Sequence, residues 1–276
     1  MPDLTVPSSN TQLTKEDLSV RIARSAAELA LDAATLARNY LQSLLQQQPT
    51  VSIILATGNS QLGFLEAIAS SNLDWSRIVL FHLDEYLGIA AEHPSSFRYY
   101  LHHKVENKVQ PRLFNYLEGD ANQPLIECDR YSQLLQQQPI DLCLLGIGDN
   151  GHLAFNEPTV ADFQDSQIVK LVKLETQTRQ QQVNGGSFPD LKSVPRYAYT
   201  LTIPTICAAK NIFCLAGGSH KAEIVRQTLT RAIAPSFPAT ILRTLPQATL
   251  FCDRDAFRLC EPIKDELFNS NYSRSN

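Results

Sequence analysis

The chain has 276 residues, of which 43% are hydrophobic and 19% are charged, and its formal net charge at pH 7 is −4. This composition is typical of a globular protein. No block of Lys and Arg stands out, and no apolar run approaches the roughly 20 residues that a membrane-spanning helix needs. The sequence therefore disfavours nucleic acid and membranes as partners.

The six cysteines and the polar ends of the chain predict a cytoplasmic protein with one domain. The cysteines form no C-x-x-C pair and several lie in apolar segments, which favours buried, reduced thiols. Residues 1–14 are rich in Ser, Thr, Asn and Pro and lack a signal-peptide pattern. We expect a disordered leader at residues 1–14, a single domain at 15–265 and a polar tail at 266–276.

Hydrophobic periodicity predicts strands and helices that alternate along the chain. The predicted strands are 18–23, 51–56, 79–83, 141–145, 168–174, 199–203, 212–216 and 249–252. The predicted helices are 26–48, 61–70, 95–103, 123–137 and 221–228. Ser25 and Glu28 form a capping box at the start of the first helix, and Pro49 ends it.

This alternation indicates an α/β fold, a Rossmann-like three-layer sandwich with a mostly parallel sheet in a single domain. Ligands of such folds bind at the carboxyl ends of the strands. Four loops are predicted to lie there, at residues 57–60, 84–86, 146–157 and 217–221. We therefore expect the functional site among them.

Two of these loops have the form of a phosphate site. The first, between a predicted strand and a predicted helix, consists of Thr57, Gly58, Asn59 and Ser60. The second, at 217–221, ends with Lys221 in the first helical turn. Free amide groups and the positive end of the helix dipole favour a phosphate there. The alternative is that both are tight turns with serine caps. No P-loop or G-x-G-x-x-G motif occurs, which disfavours a nucleotide.

Asp84 and Glu85 directly follow the apolar strand at 79–83. Two acids at a strand end are costly unless they are solvated or functional. A carboxylate at this position could remove a proton next to a carbonyl group. The alternative is that Asp84 caps a following helix.

A histidine and an acid lie in the glycine-rich loop at 146–157. His152 precedes Glu157 by five residues and follows three glycines, Gly146, Gly148 and Gly151. Such a histidine is suited to moving a proton on a substrate oxygen, with Glu157 holding its second ring nitrogen. Metal binding is disfavoured because no H-x-H or H-E-x-x-H spacing occurs. The alternative is a structural histidine.

These loops resemble the glucosamine-6-phosphate deaminase/isomerase family, which also contains galactosamine-6-phosphate isomerases and, more distantly, 6-phosphogluconolactonases. The resemblance spans residues 18–260 and rests on segments 81–88, 92–97, 145–158, 194–201, 217–222 and 248–253. The Asp-Glu-Tyr motif at 84–86 and the Gly-His-Leu-Ala-Phe-Asn-Glu-Pro motif at 151–158 are together quite specific.

The resemblance implies a mechanism. The sugar phosphate binds and its ring opens with His152 as the acid–base group, and Asp84 then moves a proton between C2 and C1 through an enol-type intermediate. Ammonia leaves C2 and a ketose phosphate remains. Glu157 matches the acid that orients the histidine, while residues 57–60 and Lys221 match the phosphate site. No metal or organic cofactor is implied.

Three departures from the family pattern affect the site. The deaminases usually have Asp directly before the Gly-His pair, where this chain has Asn150, so we expect a lowered pKa for His152. The phosphate-binding arginine of the family aligns with Asn184, and Arg179 is its possible substitute. Residues 160–169, which form part of an allosteric site in some bacterial members, contain no Lys or Arg.

The leading interpretation is isomerisation with deamination of an amino-sugar 6-phosphate, either glucosamine 6-phosphate to fructose 6-phosphate and ammonia or the galactosamine equivalent. A 6-phosphogluconolactonase is the first alternative, which Tyr86, Leu153 and Phe155 disfavour because lactonases typically have other residues there. A non-catalytic sugar-phosphate-binding protein is the second. The partner is therefore a small-molecule sugar phosphate, and both a monomer and a homo-oligomer are open.

Overall fold

Short apolar strands alternate with helices along most of the chain. The computed structural model describes residues 10–268. Their strands are β1 (Thr11–Lys15), β2 (Leu18–Ala23), β3 (Val51–Leu55), β4 (Ile78–His82), β5 (Asp84–Tyr86), β6 (Leu113–Phe114), β7 (Leu142–Gly146), β8 (Val169–Lys173), β9 (Tyr197–Leu201), β10 (Ile212–Ala216) and β11 (Ala248–Asp253). Their α-helices are α1 (Ala26–Leu45), α2 (Leu62–Ala69), α3 (Phe97–Leu101), α4 (Asn107–Val109), α5 (Pro124–Gln136), α6 (Thr176–Asn184), α7 (Ile203–Cys207), α8 (Ala222–Thr230), α9 (Arg254–Phe257) and α10 (Lys264–Phe268).

The main sheet has eight strands in the order β1-β2-β11-β10-β7-β3-β4-β6. All neighbours are parallel except β1 and β2, which are antiparallel. Every residue of β3 and of β10 is buried, as expected for a sheet that helices cover on both faces. The predicted α/β fold with a mostly parallel sheet is confirmed.

The sheet order brings the predicted site loops to one edge. The loops follow β3, β4, β7 and β10, which are neighbours in the order β10-β7-β3-β4 and run parallel. The chain moves from β3 to β4 on one side and later adds β7 on the other side of β3. Such a reversal opens a crevice at the carboxyl ends of the strands.

Asp84 lies in a strand, although a loop was expected there. The strand β5 follows β4 after the single residue Leu83 and begins a second, antiparallel sheet in the order β5-β9-β8. In its register Asp84 is opposite Thr200. Ladder hydrogen bonds therefore fix the backbone of Asp84 more firmly than a loop would.

The predicted disordered leader at 1–14 is too long at its carboxyl end. Thr11–Lys15 forms β1, which pairs with β2 and packs Leu13 against the core. Pairing with β2 and partial burial of Leu13 order this segment despite its polar composition. Residues 1–9 of the leader and residues 269–276 of the predicted polar tail lie outside the described residues. No helix within residues 10–268 is long and apolar enough to cross a membrane.

The eight predicted strands all occur, and the one at 199–203 is shifted toward the amino terminus. It ends at Leu201 because Ile203 begins α7, with Pro204 in its first turn. The capping interaction predicted for α1 is present, since the Ser25 hydroxyl accepts a hydrogen bond from the Glu28 amide at 3.3 Å.

Candidate active site

A cavity of about 930 Å³ opens at the carboxyl ends of the central strands. All four predicted loops contribute to its wall. The polar or charged lining residues from these loops are Thr57, Asn59, Ser60, Asp84, Asp149, His152, His220 and Lys221. The volume is in the range of small-molecule sites. The structure thus brings Asp84, His152 and both predicted phosphate turns into one cavity.

The two phosphate-type turns share one backbone form. Gly58 has φ of +103° and Gly218 has φ of +89°, a region that favours glycine. Each glycine precedes a 3₁₀ turn, Asn59–Gln61 or Ser219–Lys221, which continues directly into α2 or α8. A helix start leaves its first amide groups without intrahelical acceptors, so both turns can donate to an anion in the cavity.

Lys221 is the sole Lys or Arg among the cavity-lining residues that the structure describes. Its Nζ donates to Asp149 Oδ1 at 2.9 Å and to the Ile147 carbonyl at 2.8 Å. The Asp149 side chain is 48% exposed, so it can move away from the lysine. The sequence did not predict Asp149 as a site residue, although it lies next to Asn150 in the glycine-rich loop.

Asp253 holds the second phosphate-type turn in position. Its carboxylate accepts hydrogen bonds from the Gly218 amide at 3.0 and 3.1 Å and from the Ala256 amide at 2.8 Å. It is buried at the end of β11 and caps α9. The turn is therefore anchored to the neighbouring strand. Sequence reasoning missed this residue, whose only signal was an acid at a strand end.

Asp84 is a buried carboxyl group at the cavity wall. Its side chain lines the cavity and the residue is 8% exposed. Burial raises the pKa of Asp84 well above its usual value, and the nearby charge of Glu85 raises it further. Among residues 10–268 no hydrogen bond to the Asp84 carboxylate opposes these two effects. A carboxylate with a raised pKa is a stronger base when ionised.

Glu85 points away from the cavity and has a structural role. It is fully buried and does not line the cavity. Its carboxylate accepts four hydrogen bonds of 2.8–3.1 Å, from the Tyr86, Phe97 and Arg98 amides and the Ser96 hydroxyl. Burial raises the pKa of Glu85, and these hydrogen bonds oppose that effect. Glu85 thereby fixes the start of α3, where Ser96 and Phe97 line the cavity beside Asp84.

His152 is held in one tautomer by Asn150. Asn150 Oδ1 lies 2.7 Å from His152 Nδ1 and also accepts from the His152 amide at 3.2 Å. Since the backbone amide can only donate, the Asn150 atom at this position is the oxygen. Nδ1 of His152 therefore carries the hydrogen, and its Nε2 offers a lone pair to the cavity.

Burial and a nearby cation keep His152 neutral. Burial and, to a smaller extent, the charge of Lys221 lower the pKa of His152 to about 4, while Asp149 has the opposite effect. The ring lies against Gly148, where an added Cβ would be 2.0–2.4 Å from three ring atoms. Only glycine leaves space for the imidazole there.

Gly151 joins the loop that carries His152 to a distant segment. It has φ of +83°, and an added Cβ would be 2.7 Å from the Phe237 ring. Its carbonyl accepts a hydrogen bond from the Ala239 amide at 2.8 Å. The residue is buried and does not line the cavity. Its role is to set the path of the loop that carries His152.

Glu157 does not hold the second ring nitrogen of His152, which corrects the prediction from sequence. Asn150 occupies that position. Glu157 is fully buried and its Oε2 accepts from the Glu175 amide at 2.9 Å. Burial raises the pKa of Glu157. The Asn156 side chain donates to the Leu201 carbonyl at 2.8 Å, and this contact anchors the turn that directs Glu157 toward α6.

Arg179 is not available to bind phosphate, contrary to the possible substitution predicted. Its guanidinium donates to the backbone carbonyls of Leu191, Val194 and Pro195, and it does not line the cavity. These hydrogen bonds instead tie the segment at 191–195 to α6. Asn184 is also outside the cavity lining and accepts a hydrogen bond from Gln180.

His82, close to Asp84 in sequence, is structural. Its Nε2 accepts from the Leu117 amide at 2.8 Å, and the residue is fully buried. In the part of the chain that the structure describes, no group of three or more His, Cys, Asp or Glu residues could hold a metal ion.

The sequence matches a known family over most of its length. A model of the family described as "Glucosamine-6-phosphate isomerases/6-phosphogluconolactonase" matches residues 24–251. Glucosamine-6-phosphate deaminases of Bacillus thuringiensis (strain Al Hakam) and Bacillus cytotoxicus are each 34% identical over 250 residues. Each alignment covers 90% of this chain and 92% of the relative.

Solved structures agree with this match. The structure of a monomeric glucosamine-6-phosphate deaminase has a TM-score of 0.80 and 32% identity, and the alignment covers 87% of this chain and 99% of that one. A 6-phosphogluconolactonase from Thermotoga maritima has a TM-score of 0.68 at 17% identity, over 85% and 98% of the two chains, which shows a shared fold. The chain therefore belongs to the glucosamine-6-phosphate isomerase and 6-phosphogluconolactonase family.

Proposed function

We propose that the chain is an enzyme that converts an amino-sugar 6-phosphate and water into a ketose 6-phosphate and ammonia. The substrate is glucosamine 6-phosphate, which gives fructose 6-phosphate, or its galactosamine equivalent. The observation that carries this proposal is the shared cavity, in which Asp84 and His152 lie with two phosphate-type turns. The 34% identity to deaminases over 90% of the chain supports it.

The phosphate binds between the two turns at the Lys221 end of the cavity. Amide groups of both turns donate to its oxygens, and the ammonium group of Lys221 adds a charge-assisted hydrogen bond. Lys221 Nζ lies 2.9 Å from Asp149 Oδ1. A phosphate dianion that binds Lys221 therefore competes with this carboxylate.

His152 opens the sugar ring. Its Nε2 accepts the proton of the 1-hydroxyl group, and the imidazolium then donates that proton to the ring oxygen as the C1–O5 bond breaks. Asn150 supports the first step because its oxygen holds the hydrogen on Nδ1 and leaves Nε2 free. The lowered pKa of His152, about 4, keeps the histidine ready to accept a proton at neutral pH.

Asp84 carries out the isomerisation. Its carboxylate removes the proton from C2 of the open-chain sugar and returns a proton to C1 through an enol-type intermediate. The nitrogen at C2 becomes an imine, water adds at C2, and ammonia leaves. The raised pKa of Asp84 makes the ionised carboxylate a stronger base for this step.

The lactonase alternative is less well supported. The lactonase from Thermotoga maritima is 17% identical to this chain, whereas the monomeric deaminase is 32% identical. Tyr86 packs in an aromatic cluster, with ring centroids 5.0 Å from Phe97, 5.4 Å from Phe155 and 5.5 Å from Phe188. Tyr86, which follows Asp84 and Glu85, is therefore a core residue and places no charged group in the cavity.

The proposed reaction takes place in the cytoplasm. All six cysteines are unpaired, and five of them are buried. Free thiols are typical of a reducing compartment.

The test is a comparison of three substrates with the purified protein. Glucosamine 6-phosphate, galactosamine 6-phosphate and 6-phosphogluconolactone are supplied in turn, and ammonia, ketose phosphate and lactone loss are measured. We expect equal amounts of ammonia and ketose phosphate from one of the amino sugars. Faster loss of the lactone alone would favour a lactonase, and binding of amino-sugar phosphates without turnover would favour a non-catalytic protein.

A further inference from the structure

The phosphate end of the cavity contains little positive charge. Lys221 is the only lining Lys or Arg within residues 10–268, and it pairs with Asp149 at 2.9 Å. Arg179 cannot help, because three backbone carbonyls hold its guanidinium outside the cavity. A further charge-assisted hydrogen bond would strengthen the binding of a phosphate dianion at this end.

His220 is the other lining side chain at this end that can carry a positive charge. It is the middle residue of the 3₁₀ turn Ser219–Lys221, directly before Lys221. It is exposed and lines the cavity. Its ring folds back over Gly218, where an added Cβ would be 3.1 Å from its Cε1 and Nδ1. The imidazole therefore lies beside the backbone of the turn that offers amide groups to the phosphate.

The two carboxylates near His220, Asp253 and Asp149, have other hydrogen-bond partners. Asp253, beneath the turn, is buried and accepts hydrogen bonds from the Gly218 and Ala256 amides. Asp149, on the opposite loop, pairs with Lys221. The neighbouring helices add charges of both signs, Glu223 and Arg226 on α8, which pair with each other, and Arg254 and Asp255 on α9.

We propose that His220 is a second side-chain ligand of the substrate phosphate, next to Lys221. Its imidazole N–H donates a charge-assisted hydrogen bond to a phosphate oxygen. This inference rests on the proposed function for the identity of the substrate. It assigns phosphate recognition to a residue other than the arginine expected from sequence. The contact is remote from the sugar carbon atoms, so it affects binding and leaves the chemistry unchanged.

The test uses inorganic phosphate as the probe. Its dissociation constant is measured by calorimetry for the wild type, His220→Ala, His220→Arg and a control, His102→Ala. His102 is also an exposed histidine, but it lies outside the cavity lining and pairs with Glu106. We expect the dissociation constant to rise about tenfold in His220→Ala, as for the loss of one charge-assisted hydrogen bond. His220→Arg should restore much of the affinity, and the control should be unaffected.

Kinetics with the amino-sugar phosphate provide the second measurement. His220→Ala should raise KM by a similar factor with kcat nearly constant. Wild-type phosphate affinity in His220→Ala, or a loss that His220→Arg does not restore, would overturn the assignment. Failure of the proposed function is distinguishable, because the wild type would then release no ammonia while the phosphate titrations still test His220.

Discussion

Asn150 Oδ1 lies 2.7 Å from Nδ1 of His152, so a neutral amide contacts the ring nitrogen of the proposed acid–base group. The amide fixes the tautomer but adds no negative charge to stabilise an imidazolium. Together with burial, this is consistent with the low pKa of His152, about 4. The histidine is therefore neutral over the whole physiological range of pH.

Asn150→Asp should raise the pKa of His152 from about 4 toward the ordinary histidine range, because a carboxylate at Nδ1 stabilises the charged ring. Proton NMR of the His152 ring across pH 3–9 measures this, and the acidic limb of kcat/KM should move to higher pH in parallel. Asn150→Ser, which cannot carry a charge, is the control. An unchanged titration in Asn150→Asp would contradict the proposed contact.

Asp84→Asn should lower kcat by about 10²–10⁴-fold, because an amide cannot remove the C2 proton. Asp190→Asn is a suitable control, since Asp190 is exposed and interacts only with its own loop at Ser193. Exchange of the C2 hydrogen with deuterated solvent, followed by NMR, should stop in the variant. Continued exchange at the wild-type rate would remove Asp84 from the mechanism.

The same variant should be more stable than the wild type at neutral pH. The pKa of Asp84 is raised in the folded state, so the folded protein binds a proton more tightly than the unfolded chain does. The stability that protonated Asp84 adds to the folded wild type is fully present below the ordinary Asp pKa. It is lost as the pH rises through the raised folded-state pKa of Asp84. Urea denaturation of both proteins at pH 5 and pH 8 should show the larger advantage of Asp84→Asn at pH 8.

Asp149→Asn should lower KM for the sugar phosphate by about two- to fivefold, since the half-exposed Asp149 competes with phosphate for Lys221 and repels the dianion. Lys221→Met should raise KM instead. If Asp149 acts only through Lys221, Asp149→Asn should have little effect on KM in a protein that already carries Lys221→Met. A higher KM in Asp149→Asn would show that this carboxylate helps to bind substrate.

Gly148→Ala should lower kcat by about 10²-fold or more, because the new Cβ would occupy the space of the His152 ring and displace it. Gly185→Ala is the matched control at another glycine of the cavity wall, since its Cβ would meet only the Gln181 carbonyl at 3.2 Å and the Gln182 carbonyl at 3.9 Å. A thermal melt of both variants separates displacement of the ring from loss of the fold. Wild-type turnover in Gly148→Ala would mean that His152 can act from another position.

N-acetylglucosamine 6-phosphate should not activate the enzyme. Residues 160–169 contain no Lys or Arg, and Lys170 just beyond them donates to the Val160 carbonyl at 2.7 Å and to Asp165 at 2.8 Å. No cation in this segment is free to bind a phosphate. Initial rates with and without the compound should coincide over the full range of substrate, and a marked rise in rate would contradict this.

The parts of the site that could be predicted from the sequence depend on local spacing. The turns at Gly58 and Gly218 each join an apolar strand to a helix, so their backbone form follows from a few adjacent residues. The parallel order of the strands then brings them to one edge with Asp84 and His152. The strand β5 and the segment β1 were missed because their pairing partners, rather than their own residues, order them.

The parts that could not be predicted depend on contacts between distant residues. Glu157 interacts with the Glu175 amide, and Arg179 with carbonyls 12–16 residues further along the chain. Both depend on α6, which was also missed. This helix is polar on nearly all sides and buries only Thr178, so it has no hydrophobic periodicity to detect.

The contact between Gly151 and the Phe237 ring extends the functional constraint beyond the cavity. Neither Phe237 nor Ala239 lines the cavity, yet both support the loop that carries His152. The Phe237 ring packs against Gly151, and the Ala239 amide donates a hydrogen bond to the Gly151 carbonyl. A library of random substitutions scored by ammonia release should therefore contain a second group of inactive clones at 237–239. Engineering of this enzyme for a new sugar should therefore leave Phe237 and Ala239 unchanged.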